Sequence, residues 1–226
     1  MKLLMVADTE LPSLYEYFNP SKAKGTDLIL SCGDLHARYL EFLTTVINRP
    51  LLYVNGNHDT EYRNHAPEGC VSIEDRIYLY KGLRILGLGG SYKYKDEREP
   101  FMYTEKEMRR RIRRLTPRLK AVGGVDILVT HAPARGYGDL DDLPHIGFEC
   151  FDEFLSEWKP AYFFHGHVHQ EYGNFQRRLT HNSGTQIINC YGSYTLELEE
   201  NAFPVYDSKT ERRLKIIQKL DNRKEG

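Results

Sequence analysis

The sequence predicts an α/β sandwich with mixed sheets, and three observations lead there. Short, almost wholly apolar runs recur at residues 3–7, 28–30, 51–54, 127–129 and 161–164. Runs of this length without polar alternation read as strands buried on both faces. Helical patterns lie between several of them, and the second half is richer in β signals, so strands alternate with helices before a hairpin-rich end.

The helices follow from spacing and punctuation. Tyr39, Phe42, Leu43 and Val46 recur at helical spacing before Pro50. Thr104 and Glu107 form a capping box, after which Met108, Ile112 and Leu115 make an apolar stripe that Pro117 is expected to end. Phe148, Phe151, Leu155 and Trp158 form a third stripe, stopped by Pro160. Residues 185–190 and 194–198, separated by Gly192-Ser193, read as paired strands.

The chain has 226 residues, enough for one larger domain that buries a core without staples. No repeat or low-complexity linker divides it. Residues 1–206 therefore read as one domain and 207–226 as a charged tail, in which Leu214, Ile217 and Leu220 suit a short helix. A formal net charge of −1 supplies no global basic field for nucleic acid or an anionic membrane. Apolar runs of about five residues are too short to span a bilayer. The apolar start is broken by Asp8 and Glu10 with no cleavage pattern behind it, so it is not read as a signal peptide. Cys32, Cys70, Cys150 and Cys190 form no CxxC pair and read as free thiols, which makes a cytoplasmic location the expectation.

The polar residues behind each apolar run carry the chemistry. The five runs lead into Asp8-Thr9-Glu10, Gly33-Asp34-Leu35-His36, Asn55-Gly56-Asn57-His58-Asp59, Thr130-His131 and His165-Gly166-His167-Val168-His169. Asp, Asn and His are ligands for hard or borderline divalent cations. Ligand crevices of open α/β sheets lie at the carboxyl ends of strands, so the five loops should converge. Gly33, Gly56 and Gly166 let the backbone turn sharply beside them, and alternation along a strand or bulge would put His167 and His169 on one side. Singly these are ordinary turn and cap residues; their joint occurrence at strand ends is what points to a site.

In this order the segments resemble the five boxes of the calcineurin-like metallophosphoesterase superfamily, D-x-H, G-D, G-N-H-D/E, H and G-H-x-H, from Asp8 to His169. The resemblance implies two mixed β-sheets flanked by helices and two divalent metal ions sharing a nucleophilic hydroxide. It implies that Asp8, Asp34 and His169 hold the first ion, and that Asp34 bridges to a second held by Asn57, His131 and His167. His58 matches the general acid that protonates the leaving alkoxide. Thr130-His131-Ala132-Pro133, Asp139 and His145-Ile146-Gly147-Phe148 further resemble a branch of small nucleotide-binding members that includes phosphodiesterases. That likeness implies a small, nucleotide-like phosphate diester as substrate.

One position departs from the pattern, because Glu10 stands where the family has His. A carboxylate ligand there would shift the first site toward Mn²⁺ or Mg²⁺ and away from iron, with Zn²⁺ a further alternative. A Glu10 turned away would cost that site a ligand, and a catalytically weak metal- or nucleotide-binding module is then the competing expectation. His36 and Arg38 directly follow Asp34. His36 is expected to line the pocket, and Arg38 could clamp a phosphate oxygen or lie on a helix surface. The run Arg109-Arg110-Arg111 with Arg113-Arg114 reads as a solvated helix face, which argues against nucleic acid as a partner.

Overall fold

A computed structural model describes residues 1–95, 100–173, 175–199 and 208–222, with side chains undescribed at 214 and 217–222. Two large sheets form the centre. In the first, β1 (Lys2–Ala7), β2 (Leu28–Ser31), β3 (Leu51–Tyr53) and β4 (Val71–Ser72) run parallel, with the short α1 (Pro20–Ala23) ahead of β2. In the second, β6 (Leu83–Leu88), β9 (Ile127–Thr130), β10 (Tyr162–His165) and β12 (Gln186–Asn189) run parallel, edged by antiparallel β5 (Arg76–Tyr80) and β11 (Arg178–Thr180). A small parallel pair, β7 (Ser91–Tyr92) and β8 (Met102–Tyr103), forms a third sheet. The β5–β6 hairpin turns on Lys81 and Gly82, at φ 46° and 89°, the positive pair that a two-residue primed turn requires.

Both faces of each sheet are covered, which is why the strands lack polar alternation. Leu3, Met5, Leu28, Leu30 and Leu52 meet Ile85, Ile127, Val129, Phe164 and Ile188 between the sheets. The alternate residues Leu4, Val6, Ile29 and Leu51 face outward onto Tyr39, Leu40 and Leu43 of α2 (Ala37–Ile47). On the far side Leu86, Leu128, Phe163 and Ile187 pack on α3 (Glu105–Val122) and α4 (Glu149–Trp158). The architecture is a layered α/β/β/α sandwich, as the strand and helix patterns imply.

Two local expectations are corrected. Pro117 does not end α3, which runs on to Val122 and stops at Gly123 with φ 75°. A proline inside a helix costs about 3 kcal/mol, but the extra turn fully buries Leu119 and Val122, each worth about 1.5–3 kcal/mol. Residues 185–190 and 194–198 do not pair with each other. Strand β12 pairs with β10 and β11 in the second sheet, whereas β13 (Gly192–Glu197) runs antiparallel to β1 in the first. Gly192-Ser193 opens a strand instead of turning between two. The expected tail helix is α5 (Ser208–Asn222), lying against α3 and β5, and Arg213 Nη1 donates to Ala121 O. The division placed at residues 206 and 207, and the side chains of Leu214, Ile217 and Leu220, lie outside the described residues.

Candidate metal centre

Three loops of the first sheet and two of the second meet at the carboxyl ends of β1, β2, β3, β9 and β10. Asp8, Asp34 and His167 hold φ of 65°, 56° and 68°, in the left-handed region that residues bearing a Cβ avoid. Strain of this kind costs on the order of 1–3 kcal/mol per residue and persists where surrounding structure enforces it. That three such residues carry polar side chains into one crevice makes it the candidate functional site.

The glycines explain the close approach, though not all as expected. Gly33 answers to both turn and space, with φ 94° and a Cβ that would sit 2.4 Å from Gly56 N. Gly56 and Gly166 answer to space: a Cβ on Gly56 would sit 2.0 Å from Asp34 Oδ1, and one on Gly166 2.6 Å from Asp8 Oδ2. His167 and His169 lie beyond the end of β10, so turn geometry, and not strand alternation, aims their rings.

Asp34, His131 and His167 place ligand atoms within 4.8 Å of one another. Around His131 Nε2 stand Asn57 Oδ1 at 3.0 Å, His167 Nδ1 at 3.1 Å and Asp34 Oδ2 at 3.3 Å. Backbone carbonyls accept from the opposite ring nitrogens, Cys32 O from His131 Nδ1 and Pro144 O from His167 Nε2, each at 2.8 Å. In their neutral forms, rings so anchored turn their unprotonated nitrogens toward each other and toward two oxygens. Such an O₂N₂ donor set, oriented by backbone acceptors, fits a divalent cation. Beside it, Asp8 Oδ1 lies 3.8 Å from His169 Nε2 and 4.0 Å from His131 Nδ1, while both Asp8 oxygens accept from His167 N at 2.9 and 3.0 Å.

Glu10 and the two expected substrate residues lie to one side. Glu10 Oε1 is 2.8 Å from Nδ1 of the exposed His36. Glu10, His36 and Arg38 line a cavity of about 560 Å³ with Tyr15, Tyr39 and Glu61. His58 is exposed at the crevice, its backbone N–H on Asp34 Oδ1 at 2.8 Å. Some participants had weaker sequence signals. Asp59, buried, accepts from Gly56 N at 2.6 Å, Asp34 N at 2.9 Å and Leu35 N at 3.1 Å, and so ties two ligand loops together. His145 packs its ring on His167 at 5.2 Å, and Tyr172 stacks on His169 at 4.7 Å.

Electrostatics among these side chains favour protons where a cation would sit. Burial pushes the Asp8 carboxyl up to about 7, and burial with the Asp34 charge does the same to Asp59. Burial opposes the His131 proton, but Asp34 and Asp8 overcome it and hold the ring near 9. Asp34 stays well below the usual carboxylate range despite burial, through His131 and the His58 N–H. Asp8 and Asp59 therefore contribute stability in acid that is lost as pH rises through about 7, and the His131 contribution is lost as pH rises through about 9. All three effects act in one direction, and a cation would neutralise the carboxylate charge that carries them. Mn²⁺ is thus expected to raise Tm by about 5 °C more at pH 8 than at pH 6. Thermal scans at the two pH values check this; equal shifts would count against a cation bound among these groups.

Comparison with known proteins bears on the family and the fold. Residues 1–171 match the calcineurin-like phosphoesterase family. The Caenorhabditis elegans UPF0046 protein T07D4.2 is 35% identical over 69 residues, covering 30% of this chain and 16% of that protein. The Drosophila melanogaster lariat debranching enzyme is 28% identical over 238 residues, covering 80% of this chain and 44% of the enzyme. The chain thus spans less than half the length of these curated relatives. Among solved structures, TT1561 of Thermus thermophilus superposes with a TM-score of 0.60 at 14% identity, covering 84% of this chain and 89% of that one, which shows a shared fold.

Proposed function

The chain belongs to the calcineurin-like phosphoesterase family, and from that premise we propose that it is a dinuclear metal-dependent phosphodiesterase acting on a small, nucleotide-like ester. The observation that carries the reading is the gathering of Asp34, Asn57, His131 and His167 donors around one point, with Asp8 and His169 alongside. In it, Asp8, Asp34 and His169 would hold one cation, and Asp34, Asn57, His131 and His167 the other. The carboxylate and amide oxygens of Asp8, Asp34 and Asn57 among these donors suit Mn²⁺. Bound divalent cations supply an ionised water at neutral pH and charge neutralisation on the phosphoryl oxygens.

The chain's own residues do the rest. Cys32 O and Pro144 O set the ring orientations of His131 and His167, and Asp59 fixes the register of the loops bearing Asp34 and Asn57. His58, a non-ligand at the crevice mouth, gives its ring proton to the departing alkoxide oxygen. Arg38 and His36, in the cavity beside Glu10, bind the part of the ester beyond the reacting phosphate. Similarity to a lariat debranching enzyme and the likeness to small nucleotide-binding phosphodiesterases support a diester over a monoester. Free cysteines, with no helix among the described residues long and apolar enough to cross a membrane, support a cytoplasmic setting.

The Glu10–His36 contact favours a second reading, a metal- or nucleotide-binding module with weak catalysis, because it engages the carboxylate away from the donor cluster. Hydrolysis of bis-p-nitrophenyl phosphate beside p-nitrophenyl phosphate, after metal removal and return of Mn²⁺, separates the two. Metal-dependent turnover preferring the diester is expected. Preference for the monoester would refute the diesterase assignment, and bound Mn²⁺ with no turnover of either would favour the module.

A further inference from the structure

Arg111 lies in the basic run of α3, where the sequence reads as a solvated face, yet it is only 7% exposed. At Arg111 the reading fails because partners arrive from the segment just before β5 and from the residue that follows β6. Arg111 Nη2 donates to Glu74 Oε2 at 2.6 Å, Nε to Asp75 Oδ1 at 2.9 Å and Nη1 to Gly89 O at 2.7 Å. The guanidinium lies over the Tyr103 ring at 4.4 Å.

Held in this way, Glu74 reaches the catalytic loop. Its Oε1 accepts from Asn55 N at 2.7 Å and its Oε2 from Gly89 N at 3.2 Å, while Asn55 O accepts from Gly90 N at 2.7 Å. Both backbone polar groups of Asn55 are thereby fixed from outside the crevice, just ahead of Asn57 and His58. The packing leaves no slack: a Cβ on Gly89 would come within 2.0 Å of Glu74 Oε1 and 2.4 Å of Asn55 O. Desolvation offsets much of the attraction in a buried ion pair, so net stability is a weak reason for one. Defined geometry is what this pair supplies to the loop.

We propose that Arg111 and Glu74 are positioning residues for the phosphoester reaction, setting the 55–59 loop so that His58 meets the leaving oxygen. They act through Asn55 and do not contact the ester. The inference rests on the proposed role of His58 as general acid. A general acid matters most when the leaving group departs reluctantly, so misplacing it should steepen the dependence of rate on the leaving group.

The test compares methyl phenyl phosphate, whose phenol leaves reluctantly, with methyl p-nitrophenyl phosphate, whose phenol leaves readily, on the Mn²⁺-loaded protein. Glu74→Gln keeps the volume but places an NH₂ group where Arg111 Nη2 and Gly89 N both donate. It is expected to lower kcat by about tenfold or more on the phenyl ester and by less than about threefold on the p-nitrophenyl ester, with bound Mn²⁺ unchanged. Arg111→Lys, which keeps the charge but removes the fork, should show the same split and serves if Glu74→Gln does not fold. Equal loss on both esters, or loss on neither, overturns the positioning role. A wild-type protein that binds Mn²⁺ yet turns over neither ester refutes the phosphoesterase reading itself, and this inference with it.

Discussion

His58→Ala should retain its full metal content and lose about 10²–10⁴-fold in kcat. The structure separates His58 from the donor cluster: its backbone N–H holds Asp34, but its exposed ring stands outside the group formed by Asp34, His131 and His167. On the proposed roles, removing the ring takes away the proton donor and leaves the cation ligands in place. Kinetics on an alkyl diester, with bound Mn²⁺ measured on the same sample, check the expectation. Wild-type turnover would rule out the acid role, and loss of metal would move His58 into the ligand set.

Gly56→Ala is expected to lower kcat/KM by about 10²-fold or more, with a fall in Mn²⁺ affinity. An added Cβ would fall 2.0 Å from Asp34 Oδ1 and 2.5 Å from its backbone N, so Asp34 or the 55–59 loop must move. A displacement of about an ångström costs on the order of 10²-fold where geometry carries the rate. It would also disturb Gly56 N and Asp34 N, which share Asp59 Oδ2. Steady-state kinetics and metal titration of the variant read both effects. Unchanged kinetics would mean that this contact does not govern the site.

The sandwich was legible because burial on both faces leaves an imprint within each segment: Leu3 and Met5 face one layer, Leu4 and Val6 the other, and all are apolar. The loops were legible for a similar reason, since each of the five runs ends beside its polar residues and parallel strands bring those ends together. The capping box at Thr104 and Glu107 is equally local and stands as expected. Strand partnership left no such imprint. Nothing within residues 185–198 says that β12 and β13 belong to different sheets, because their neighbours β10 and β1 are remote in sequence. The extension of α3 past Pro117 depends on what Leu119 and Val122 touch, which is also tertiary. Burial of Arg111 was hidden because Glu74 lies 37 residues away, so its neighbours in sequence suggested only a charged face. Asp59 reads in the sequence equally as an orienter of a neighbouring group or as a turn cap, and only the fold shows that the group it holds is the backbone of Asp34, 25 residues distant.

A Mn²⁺ titration of the metal-stripped protein, with bound metal and hydrolysis of bis-p-nitrophenyl phosphate followed together, tests the dinuclear centre most directly. The expected result is two ions bound per chain, with turnover rising as the second is taken up. Turnover in the stripped protein that Mn²⁺ leaves unchanged would contradict the metal centre described by Asp8, Asp34, Asn57, His131, His167 and His169.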